Sequence, residues 1–273
     1  MRIAPLATLI IVLFVSTGCS LLPGQEDETK GWSAQRFYNA AKTAMSEGNY
    51  DKAVEYFEGL EARYPFGQYA LQSQLEVAYA YYKDGKPEAA IAAANRFIKL
   101  NPRNPHVDYA YYLKGIVNFN RNLSFINRFV PTDTSQRDAG AALSSFKDFA
   151  ELVRRYPESI YAEDARLRMI HLRNNVAMHE LQVARYYMKR GAWLAAANRA
   201  NTVIRKYQRT PAVKPALEML VIAYDKLGLV ELSNDAVRVL ALNEKKGAFD
   251  IPQTEEEKSL IESAWDYFQL DQN

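Results

Sequence analysis

One phrase returns along this chain at a fixed distance. "EGNYDKAVEYFEGLEARYP", from Glu47 to Pro65, comes back as "DGKPEAAIAAANRFIKLNP" from Asp84 to Pro102 and as "RGAWLAAANRANTVIRKYQ" from Arg190 to Gln208. A fainter copy, "LGLVELSNDAVRVLALN", runs from Leu227 to Asn243. Gly48 and Gly85 are 37 residues apart, as are Gly191 and Gly228, and Asn122 falls 37 after Gly85 in the matching "NFNRN". A constant period in this range marks a repeat array, in which each unit hides its apolar face against the next. Gly suits the left-handed backbone that ends a helix. No stretch shows several alternating strand patterns joined by hairpin turns. The expected fold class is therefore all-α: a solenoid of about five helix-turn-helix repeats over residues 34–242, with an insertion in the third repeat and a C-terminal extension.

The phrase resembles a tetratricopeptide repeat, two antiparallel helices joined by a tight turn. The first copy supplies Ala53, Phe57 and Pro65, and the second Ala90, Ala94, Phe97 and Pro102. The helices before them, "FYNAAKTAM" (Phe37–Met45) and "QLEVAYAYY" (Gln74–Tyr82), place Ala41 and Ala78 where two helices nearly touch. A large side chain there would force the backbones apart, at about 1–3 kcal/mol. In the third repeat Gly115 takes this place, and "FKDFAELVRRYP" (Phe146–Pro157) closes the unit. About eighteen extra residues lie between its helices, including 123–138. Such an insertion either lies on a binding face or covers apolar surface. The fourth repeat opens with an overlong helix, Ile160–Lys189, and the fifth uses 216–228 and 232–242.

The two ends read differently. Arg2 is followed by a ten-residue apolar run, Leu6–Val15. That is too short to span a bilayer, which needs roughly 20 residues. It suits a secretory signal. "STGC" follows, and the whole resembles a bacterial lipoprotein signal at 1–18, cleaved before a lipidated Cys19, although Ser16 stands where such signals usually carry Leu. Cys19 is the only cysteine, so the mature chain has no disulfide to stabilise it. Several acyl chains on one cysteine would anchor the protein firmly, each buried methylene contributing roughly 0.8 kcal/mol. Ser20, where Asp tends to retain lipoproteins of this kind at the inner membrane, is permissive for the outer membrane. Residues 19–33, polar and acidic, read as a tether. At the other end, 243–273 holds eight acids and three bases. Within it "TEEEKSLIESAWDYF" (Thr254–Phe268) has capping-box spacing at Thr254 and Glu257 and an apolar stripe of Leu260, Ile261, Ala264, Trp265 and Phe268. That stripe either caps the solenoid end or docks on a partner.

Composition and motifs narrow the chemistry. Without Arg2 the chain carries 33 basic and 32 acidic residues, a balance that does not suggest nucleic-acid binding. There is no phosphate loop, no G-x-S-x-G, no H-E-x-x-H and no cysteine cluster. His171 and His179, eight residues apart, share a helix face but not one metal. No cofactor, metal or enzymatic role is expected. What the fold offers is a groove lined by the first helix of each pair. Counting from the turns puts Tyr38, Lys42 and Met45 inward, then Leu75, Tyr79 and Tyr82, then Tyr112, Ile116 and Phe119. The competing reading is that many of these aromatics pack helix on helix. Tyrosine suits a groove because its ring is apolar while its hydroxyl stays wet, and such a groove accepts an extended or helical peptide.

The order of parts resembles the BamD family, tetratricopeptide lipoproteins of the outer-membrane β-barrel assembly machine. The resemblance rests on "RYPFGQY" (Arg63–Tyr69), "AYAYYK" (Ala78–Lys83), "RFIKLNP" (Arg96–Pro102), "HVDYAYYLKG" (His106–Gly115) and "RGAWLAAANR" (Arg190–Arg199). It implies a non-enzymatic scaffold held by lipid on the periplasmic face of the outer membrane. It implies that the C-terminal repeats dock on BamA, alongside other Bam lipoproteins, with Arg199 matching a family arginine tied to that coupling. It also implies that the N-terminal repeats recognise unfolded β-barrel precursors. The alternatives of another class are a generic repeat adaptor for a different envelope complex, and a periplasmic enzyme or wall-binding factor built on a repeat platform.

Overall fold

The computed structural model describes residues 28–121 and 139–249. Cys19, the 123–138 insertion and the predicted 254–268 helix lie outside them. The described residues contain ten helices and no strand. The first repeat is α1 (Ala34–Ser46) and α2 (Tyr50–Arg63), the second α3 (Gln68–Lys83) and α4 (Pro87–Leu100), the third α5 (Val107–Asn120) and α6 (Ala139–Arg155). The fourth is α7 (Ala162–Lys189) and α8 (Trp193–Lys206), the fifth α9 (Val213–Lys226) and α10 (Val230–Lys245). The local chemistry explains several starts. The Ser33 side chain accepts from the Arg36 N–H, the Asn49 side chain accepts from the Lys52 N–H, and Pro87 opens α4.

The turn glycines do what the repeat demands. Gly48, Gly85, Gly191 and Gly228 have φ between 70° and 75°. At each, two backbone bonds close the helix end. The Gly48 N–H donates to Met45 O (3.1 Å) and the Asn49 N–H to Ala44 O (2.8 Å), and the same pair recurs three times. These are Schellman turns, which side chains with a Cβ enter only with strain. Seven residues before each turn stands the close-contact residue. Ala41, Ala78 and Ala184 are fully buried. At Gly115 a methyl group would lie 2.3 Å from the Phe149 ring, so nothing larger than Gly fits. Beside it the Ser145 hydroxyl donates to Gly115 O at 2.9 Å, and the Ser233 hydroxyl makes the same kind of bond to Val221 O at 3.2 Å, seven residues before Gly228.

Each helix packs on its neighbours in sequence, and α1 also touches α3, α3 touches α5, and α7 touches α9. No comparable contact joins successive second helices among the described residues. The first helices are therefore on the shorter, inner side of the array. The buried cores differ along it. Phe37, Phe57, Phe97 and Phe149 fill the first three repeats, with Tyr111 and Tyr112. The core of the last two has no buried aromatic ring, and seven of its ten buried residues are alanine. The fold also begins ahead of α1. Trp32 packs on Phe37 and Tyr56, its carbonyl accepts from the Tyr64 hydroxyl (2.7 Å), and Thr29 O accepts from Arg63. The end of the expected tether is thus part of the first repeat.

Candidate functional site

Each of the first three inner helices presents hydroxyls toward the next. On α1 the Tyr38 hydroxyl donates to Glu76 Oε1 on α3 (2.7 Å), and Lys42 pairs with the other oxygen of the same carboxylate (2.8 Å). On α3 the Tyr82 hydroxyl accepts from Asn120 of α5 (2.7 Å). On α5 the Tyr112 hydroxyl donates to Asp164 of α7 (2.7 Å). The result is a ladder of three polar rungs, one between each successive pair of inner helices from α1 to α7, set among aromatic rings. Tyr79 and Tyr82 lie 6.2 Å apart, Tyr38 and Tyr69 5.4 Å, and Tyr109 and Tyr161 5.5 Å.

Burial raises the pKa of Tyr79, Tyr82, Tyr109 and Tyr112 above the ordinary phenol range. Tyr38 is raised by burial and by the carboxylate it bonds. Burial and Glu58 push Tyr81 up to about 12. At neutral pH the wall is therefore uncharged along its rings, with hydroxyls that donate and accept.

The structure separates the predicted groove residues. Tyr38, Tyr79 and Tyr82 are half-buried. Tyr112 does not belong with them: it is 3% exposed and stacked on Tyr161 at 4.8 Å. It is core, a correction to the expected groove. Ile116, 7% exposed, is core as well. Tyr38 and Tyr112 hold the same register, ten residues before the turn position, yet differ because Tyr161 stacks on Tyr112. Lys42 is exposed, while Met45, Leu75 and Phe119 are half-buried against the core.

Sequence reasoning missed the hydrogen-bond partners that fix this wall. Glu76, Asn120 and Asp164 read as ordinary helix-surface residues. Arg168 is 5% exposed, bonded through Nε to Asp164 (2.6 Å) and seated over Phe119 (4.9 Å). Its spacing of four from Asp164 was the one available signal.

Arg199 lies at the other end of the array, on α8. Its guanidinium meets Glu180 of α7 at 3.0 Å, and its side chain is 46% exposed. Glu180 is 17% exposed, but the guanidinium side of the pair lies largely in solvent, where an ion pair contributes about 1 kcal/mol, so the arginine can exchange its partner for another carboxylate. Among the described residues no group of three His, Cys, Asp or Glu could hold a metal ion, and no helix is long and apolar enough to cross a membrane.

The family model described as YfiO, outer membrane lipoprotein, matches residues 31–240. The chain is 45% identical to "Outer membrane protein assembly factor BamD" of Neisseria meningitidis serogroup A, over 88% of this chain and 92% of that one. It is 38% identical to the protein of that name in Xylella fastidiosa, over 87% and 81%, and 35% identical to that of Vibrio cholerae, over 86% and 96%.

Proposed function

The chain belongs to the YfiO family of outer membrane lipoproteins, and on that footing we propose that it is an outer-membrane protein assembly factor, a non-enzymatic periplasmic scaffold that helps build β-barrel precursors into the outer membrane. Identity of 45% over nearly the full length of a protein so named carries the reading. The half-buried pair Tyr79–Tyr82 supports a role for the first three repeats in holding precursor segments, because such a segment must shield apolar and aromatic side chains while its backbone seeks hydrogen bonds. The replaceable Arg199–Glu180 pair supports docking of the last two repeats on BamA through a carboxylate, for which a guanidinium is the stronger, bidentate partner. The apolar run ending in "STGC" supports lipid attachment at Cys19, which would hold the scaffold at the periplasmic face of the outer membrane.

Co-purification from solubilised outer membranes tests the division. Arg199→Glu should reduce BamA recovery, whereas Glu180→Gln, which removes the internal partner and leaves the arginine, should not. A photoreactive residue at position 79 should capture precursor peptide. Equal loss of BamA in both Arg199→Glu and Glu180→Gln would mean that the internal pair, not an arginine contact, matters. Cys19→Ala should release the protein from the membrane fraction.

A further inference from the structure

A side chain closes the gap between the first two of the second helices: Arg96 of α4 pairs with Glu61 of α2 at 2.6 Å. The gap between α6 and α8 is different. α7 has 28 residues and α8 has 14, so α8 runs back along only half of α7 and ends beside its middle. A cavity of about 290 Å³ remains there, lined by α6, the middle of α7 and the end of α8. Leu172 and Val176 of α7, 6% and 7% exposed, form its floor with the half-buried Phe146 of α6. Leu143, 46% exposed, stands at its rim.

Two cations and a phenol share this apolar cavity: Arg173, Lys206 and Tyr207. Among the described residues neither Arg173 nor Lys206 forms an ion pair, and the Tyr207 hydroxyl makes no hydrogen bond. Burial raises the Tyr207 pKa, the Glu180 carboxylate adds to the rise, and the Arg173 charge opposes both, so guanidinium and phenol lie close together. Glu180 itself is held by Arg199 at 3.0 Å. No carboxylate lines the cavity. An apolar floor thus meets positive charge that no described acid neutralises.

Size and polarity choose the ligand. An apolar cavity of about 150 Å³ holds benzene, so this one has room for a chain of about ten carbons. Residues 142–146 and 172–176 are within helices, their backbone groups already used. A peptide laid across them would press its amides against a wall that offers no partner. A chain with polar atoms at one end only avoids that cost. We propose that this cavity binds the acyl chain of a single-chain anionic amphiphile, a fatty acid or a lysophospholipid, whose carboxylate or phosphate is held by Arg173 and Lys206 and accepts from the Tyr207 hydroxyl. The site is independent of docking at Arg199.

The test titrates decanoate, below its micelle concentration, into the full chain by calorimetry. Decanoate should bind at one site, octanoate about tenfold more weakly for the two methylenes lost, and decyltrimethylammonium not at all. Arg173→Gln with Lys206→Gln should weaken decanoate at least tenfold with circular dichroism unchanged, and Ala142→Trp, which fills the cavity, should do the same. Decanoate with a diazirine near its terminal carbon should label 142–146 or 172–176. Decanoyl lysophosphatidylglycerol competing better than decanoate would support the proposal with a membrane lipid as the source, and competing worse would support it with a free acid. No binding of either amphiphile, equal binding of the ammonium, labelling elsewhere, or an affinity that neither variant changes would overturn it.

Discussion

The first three repeats and the last two use one turn and two kinds of filling. In the first three, phenylalanines fill the core and tyrosine hydroxyls join successive inner helices, through Glu76, Asn120 and Asp164. In the last two, Ala177, Ala197, Ala200, Ala212, Ala216 and Ala223 bring helices together with almost no side chain between them. Aromatic filling leaves Tyr38, Tyr79 and Tyr82 half-buried at the inner side of the array. Alanine filling leaves the surface to the longer side chains, Arg199 with its Glu180 partner among them. The comparison teaches that a repeat array can hold its geometry constant and change what it offers by changing what fills it.

Alkali should break the comparison most visibly. Tyr38, Tyr79, Tyr81, Tyr82, Tyr109, Tyr111 and Tyr112 all have a raised phenol pKa, against Tyr207 alone in the last two repeats. A raised folded-state value means that the folded chain keeps a proton which the unfolded chain loses. That stability is present in full below about pH 10 and falls as the pH rises toward 12, by roughly 1 kcal/mol per pH unit for each buried phenol. Fluorescence of Trp32, in a chain with Trp193→Phe and Trp265→Phe, should change at a lower pH than that of Trp193 with Trp32→Phe and Trp265→Phe. Simultaneous loss would mean that the halves are not electrostatically distinct.

Smaller effects should sharpen it. Gly115→Ala should cost about 3 kcal/mol, seen as a lower urea midpoint, because the new methyl meets a ring that is fully buried. Adding Phe149→Leu should recover part of that loss. Ala184→Gly, in the same register of the fourth repeat, should cost only about 1 kcal/mol, the backbone entropy of the glycine. Ala53→Leu and Ala90→Leu should each cost about 2 kcal/mol, since both positions are fully buried, while Ala248→Leu, exposed beyond α10, should leave the melting temperature unchanged. Among the substitutions expected to have an effect, Arg199→Ala should change stability least, by about 1 kcal/mol, because its guanidinium lies largely in solvent. Calorimetry of the variants places all of these on one scale.

The period was legible because it is backbone chemistry: only a residue that tolerates positive φ can stand at Gly48, Gly85, Gly191 and Gly228, and only a small one at Ala41, Ala78 and Gly115. The overlong fourth helix was legible for the same reason, as α-helical spacing without a glycine until Gly191. The surface was less so. Tyr38 and Tyr112 are the same residue type in the same register, and what separates them is Tyr161, placed by the next repeat. Arg168 appears solvated in sequence because nothing local shows that Phe119 and Asp164 enclose it. The third repeat's Gly115 was recognised as a close contact, but the identity of the intruding ring, Phe149, lay across an insertion that hides the spacing.

α7 belongs to both halves. Its N-terminal turns hold Asp164 and Arg168 against the third repeat, and its C-terminal turns pass through Glu180 to the Gly191 turn. At 28 residues it is about 42 Å long. It is thus a crankshaft with a fixed phase between two working surfaces. Removing one residue from its middle would rotate the last two repeats by about 100° relative to the first three and draw them about 1.5 Å closer. Each half would keep its own contacts, and the angle between the tyrosine ladder of the first three repeats and the Arg199 surface would change.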